Sequence, residues 1–74
     1  MKTTVEAKDM LEFLQYHFDV ANDYRKHLGA NDERTENHFA WCVGMKELVE
    51  YCIGAPVNLR MDTGKVTIGY GEED

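Results

Sequence analysis

The chain is predicted to be an α+β protein: a long antiparallel helical hairpin, then a two-stranded β-hairpin packed on it. Three observations carry this. Two stretches, about 4–28 and 32–54, repeat their apolar residues at spacings of three and four, as a helix with one buried side does. Beyond Pro56 the period drops to two, the signature of strands. The chain has 74 residues, which allows one small domain, 1–74, so these elements must bury one another.

Helix 1 is expected from about Thr4. Thr3 and Glu6 have the spacing at which a hydroxyl and a carboxylate each satisfy a free backbone N–H. Ala7, Met10, Leu11, Leu14, Phe18, Ala21 and Leu28 form its apolar stripe, and Phe13, Val20 and Tyr24 widen it to about half the circumference. So broad a stripe can touch two neighbours. Gly29 suits the left-handed position that ends a helix, and Asn31 or Asp32 can cap the next one. Such a short connection forces the helices antiparallel.

Helix 2, about 32–54, turns Phe39, Cys42, Met45, Leu48, Val49, Cys52 and Ile53 to one side, with Trp41 at the edge. Glu33, Glu36, Glu47 and Glu50 lie opposite, toward water. Gly44 inside this helix suggests the close approach of another backbone. Gly54 and Pro56 stop the helix. In the β-hairpin, about 57–70, Val57, Leu59 and Met61 alternate with polar residues, as do Val66, Ile68 and Tyr70. Asp62-Thr63-Gly64 between them fits a type I turn closed by a glycine bulge. Residues 71–74 read as an acidic tail.

Composition limits the function. The net charge is −6, and Glu72, Glu73 and Asp74 account for three of those negative charges. An acidic chain is disfavoured from binding nucleic acid or an anionic membrane directly. No run approaches the ~18 apolar residues of a membrane span, and no signal peptide opens the chain, so a cytoplasmic protein is expected. Cys42 and Cys52, on one helix and ~15 Å apart along its axis, read as buried reduced thiols.

Chemical motifs are few. Asp62-Thr63-Gly64 matches the aspartic-protease triplet by letter, but that chemistry needs two facing aspartates, and turn geometry accounts for all three residues. His17 and His38 fall near the centres of their apolar faces, where a neutral imidazole is expected to bond a nearby carbonyl or side chain. Hairpin counting about residue 30 sets His17 near residue 43 and His38 near residue 22, so they need not meet. His38 and Cys42, four apart, could share a metal, but no spacing supplies further ligands. His27 should be exposed. There is no serine and no phosphate-binding loop, and no metal or other cofactor is implied.

One surface pattern stands out. Asp9, Glu12, Asp19 and Asp23 fall within about 80° on the outer side of helix 1, with Tyr16 among them. Such a stripe can dock a basic protein surface. The helix residues Phe13, Val20 and Tyr24, and Val66 and Ile68 of an exposed strand edge, are the expected contacts of a homodimer. The expected function is therefore a small non-enzymatic protein-binding module, regulatory or inhibitory, acting as a homodimer on a partner with a basic surface. Size and charge resemble, in general character, the accessory and inhibitor proteins of phages and mobile elements. The competing expectation is a thiol/histidine enzyme or metal-dependent sensor built on His38, Cys42 and His17.

Overall fold

The structure, a computed structural model, describes residues 6–69. The element order is α1 (Ala7–Leu28), α2 (Glu33–Ile53), β1 (Val57–Arg60) and β2 (Lys65–Ile68). The predicted helical hairpin followed by a β-hairpin is the observed fold. The Thr3 cap, Tyr70 and the acidic tail 71–74 lie outside the described residues.

α1 begins later than expected, at Ala7. Glu6 precedes it in extended conformation and makes no side-chain cap. Asp9 in the first turn and Arg25, Lys26 and His27 in the last complement the helix dipole. Gly29 ends the helix at φ 93° and ψ 156°. That is not the left-handed conformation expected of it but an extended, positive-φ one that is essentially confined to glycine. Its N–H still bonds the Arg25 carbonyl, at 3.0 Å.

Asp32, rather than Asn31, caps α2. Its carboxylate accepts the Arg34 backbone N–H at 2.9 Å and the Arg34 guanidinium at 3.1 and 3.2 Å. Those bonds from Arg34 hold the Asp32 carboxyl below the usual carboxylate range. Gly54 closes the helix in left-handed conformation.

The strands pair antiparallel with Val57 opposite Ile68, Leu59 opposite Val66 and Arg60 opposite Lys65. The connection is therefore the four residues 61–64, one more than the expected bulge turn. The Gly64 N–H bonds the Arg60 carbonyl at 2.7 Å, and Gly64 has φ 73°, where a Cβ would strain the backbone.

The two helices form one layer and the hairpin a second, with β2 against α1 and β1 against α2. Leu14, Val49 and Val57 meet in the core, flanked by Met10, Leu11, Met45, Ile53, Leu59 and Val66. Toward the helical turn, Phe18 meets Phe39 edge-to-face at 6.1 Å, and Phe18, Ala21 and Cys42 are fully buried. The body measures 36 × 35 × 15 Å. At two layers thick, it covers only one side of its helices.

Candidate functional site

The covered side of the helical layer is sealed by two polar side chains. Gln15 of α1 donates from Nε2 to the Gly64 carbonyl at 2.9 Å and accepts the Val66 N–H on Oε1 at 2.8 Å. Its amide thus takes the place of a neighbouring strand along this part of β2. Glu50 of α2 does the corresponding work for β1, accepting the Val57 N–H at 2.7 Å, while Lys46 pairs with the same carboxylate at 3.1 Å. The bond from Val57, then that from Lys46, holds the Glu50 carboxyl below its ordinary range. Glu50 was expected in water with Glu33, Glu36 and Glu47. Those three are exposed, and Glu50 is not.

Among the described residues nothing covers the opposite side. Gln15 points at β2, so residues two positions away project roughly 160° around the helix from it. Phe13 and His17 are such residues. With Tyr16, Val20 and Tyr24 of α1, and His38, Trp41 and Leu48 of α2, they form an open face. Phe13 is 55% exposed, Tyr16 61%, Trp41 48%, Leu48 61% and Tyr24 37%. These are large apolar groups, and their exposure on one face rather than scattered singly distinguishes this face from ordinary surface. Phe13, Ala40, Trp41, Gly44, Met45 and Leu48 line a groove of about 510 Å³ at one end. Val20, Tyr24, His27 and Arg34 contribute to one of about 440 Å³ at the other.

At the centre of this face His17 and His38 do meet, with ring centroids 5.6 Å apart. His17 is in edge contact with Phe13, Tyr16 and Trp41 at 4.6, 5.0 and 4.4 Å, and Tyr24 lies 5.5 Å from His38. The pairing of His17 with Trp41 sets the hairpin pivot midway between 17 and 41, at residue 29 rather than 30. That shift brings the histidines within about one turn, close enough for their rings to touch. Neither finds the hydrogen bond expected for it: His17 Nδ1 and His38 Nε2 are buried without a partner. Burial, and then His38, lowers the His17 pKa.

Other expected site residues are placed as follows. Glu12, Tyr16, Asp19 and Asp23 are exposed along the outer side of α1, and Asp9 is half-buried. Lys8 pairs with Glu12 at 3.6 Å and Gln15 donates to Asp19 at 2.8 Å, so the acidic stripe is partly engaged within its own helix. Val66 packs on the core, and Ile68 is 49% exposed. These two strand residues lie across α1 from Phe13, Val20 and Tyr24, so the five do not form one surface. Cys42 is buried, and burial raises its thiol pKa. Cys52, expected to be buried, is exposed, as is Leu48. Thr35 instead occupies the core, only 1% exposed and with Oγ1 unpartnered. No atom lies within 4 Å of a Cβ built on Gly44, so no backbone approaches it and the glycine opens the groove. Among the described residues no three His, Cys, Asp or Glu side chains converge where they could hold a metal ion. No described helix is long and apolar enough to cross a membrane.

No protein-family model, curated protein or solved structure matches this chain.

Proposed function

We propose that this chain is a non-enzymatic protein-binding module that works as a homodimer, joined through the open face of its helical layer. The observation that carries this reading is the half-exposure of Phe13, Tyr16, Trp41 and Leu48 together on one side of the helical layer, whose other side the β-hairpin covers. Aromatic side chains bury 150–250 Å² each, so the exposed parts of these groups and Tyr24 offer about 500 Å². A standard interface takes about 800 Å² from each partner, which Val20, Met45 and the rim can complete. A second copy is the occupant that this area fits, since a twofold axis sets the same open face of each copy against the other. Self-association by this route leaves both β-hairpins outside, and their edges keep the Gln15 and Glu50 bonds.

The acidic residues Glu12, Asp19 and Asp23 stay on the rim of such a dimer, where a partner with a basic surface would meet them in a regulatory or inhibitory role. A thiol enzyme is less favoured, because burial raises the Cys42 pKa and so opposes a reactive thiolate. The test is the mass in solution at neutral pH. The native chain should sediment at about twice 8.5 kDa. Trp41→Glu should sediment as one chain with unchanged helical circular dichroism. A native protein that stays at one chain mass, or a dimer broken by Ile68→Glu and not by Trp41→Glu, would overturn the open-face interface.

A further inference from the structure

We propose that the dimer is opened by acid, with the His17–His38 pairs of the two copies at its centre acting as the pH-sensitive element. This rests on the dimer reading above. His17 is the eleventh of the 22 residues of α1 and stands against Trp41, so the pair lies in the middle of the face and, across a twofold axis, near the partner's pair. Each imidazole has one buried nitrogen without a hydrogen-bond partner. A neutral ring tolerates that position better than a charged one, which must keep both N–H donors solvated or paired.

Among the described residues no carboxylate forms an ion pair with either ring. From α1 the pair is faced by Phe13, Tyr16 and Tyr24, and from α2 by Trp41, with Arg34 one turn before His38 and the Cys42 thiol one turn after. Arg34 is held by the Asp32 carboxylate at 3.1 and 3.2 Å, and Asp23 lies in the same end groove as Tyr24 and Arg34. The β-hairpin lies across the other side of the layer. Two protonated rings 5.6 Å apart would repel each other, and a second copy would add two more in a site it has just dried.

The sign follows from linkage. A histidine that stays neutral in the dimer but can protonate in the free chain favours association above its free-chain titration and opposes it below. Each such group weakens association by up to about tenfold per pH unit in that lower range. Unperturbed carboxylates titrate near pH 4, well below unperturbed imidazoles near 6.5.

Sedimentation of the full chain between about pH 7.5 and about pH 5 should show the dissociation constant rising about tenfold, chiefly below the ordinary histidine range because burial already lowers the His17 pKa in the single chain. The double variant His17→Phe with His38→Phe should remove that rise. Should it fail to fold, imidazole NMR titration of the native chain decides. The His17 midpoint should be lower in concentrated than in dilute protein. A single-chain mass at neutral pH would defeat the dimer reading. Equal dissociation constants at both pH values, or a His17 midpoint independent of concentration, would defeat the acid switch alone.

Discussion

The two sides of the helical layer differ in how they finish their backbone and their polar groups. On the covered side, Leu14, Val49 and Val57 close the core, and Gln15 and Glu50 each satisfy a strand edge at 2.7–2.9 Å. On the open side, aromatic rings touch edge-on, stay about half in water, and surround two imidazole nitrogens with no partner. Buried polar groups are normally paired, and the exposed rings together with the unpaired imidazole nitrogens are why the proposed contact is placed on the open side.

The contrast predicts a large asymmetry between neighbouring substitutions. Leu14→Ala removes a fully buried side chain and should cost about 2–5 kcal/mol, enough to unfold so small a domain. Phe13→Ala, one residue away on the open side, should cost only about 1 kcal/mol in dilute protein, chiefly its edge contact with His17. Urea denaturation of the two variants compares them directly, and equal losses would erase the distinction between the sides.

Next in size is the Gln15 clamp. Two neutral hydrogen bonds of about 0.5–1.5 kcal/mol each are at stake, so Gln15→Ala should lower stability by about 1–3 kcal/mol. The Val66 amide should then exchange its hydrogen faster, while amides in the middle of α1 change only with the global loss. An unchanged Val66 amide would show that the clamp does not hold β2.

Glu50 supplies the smallest effect, and it depends on pH. Its carboxyl pKa is depressed in the folded chain, so its stabilising contribution is present above its ordinary value of 4.5 and is lost as pH falls through the folded pKa. Thermal melts of the native chain should therefore decline below that value more steeply than those of Glu50→Gln, which keeps an acceptor for the Val57 N–H. Parallel acid declines would place the sensitivity elsewhere.

Much of this architecture was legible in the sequence. The change of period at Pro56 separates helices from strands, and the surplus breadth of α1 at Phe13, Val20 and Tyr24 anticipated the open side. What a linear pattern cannot show is which flank of a helix its neighbour covers. α2 carries apolar residues on both flanks of its core line. The hairpin covers the Lys46–Glu50 side, which leaves Leu48 and Cys52 exposed against expectation. Gln15 and Glu50 look like ordinary surface residues until the strands are placed beside them. Thr35 hides in the core behind a polar identity. The meeting of His17 and His38 turned on a one-residue shift in the hairpin pivot, finer than counting along the chain resolves.

The contact between the open faces of two copies is the claim on which the functional account stands, and an isotope-filtered NOE spectrum tests it most directly. In a mixed sample of labelled and unlabelled chains at neutral pH, the indole of Trp41, the one tryptophan, should show cross-peaks to Phe13, Tyr24 or Leu48 of the other copy. Cross-peaks between copies confined to Val66 and Ile68, or none at all in concentrated protein, would contradict it.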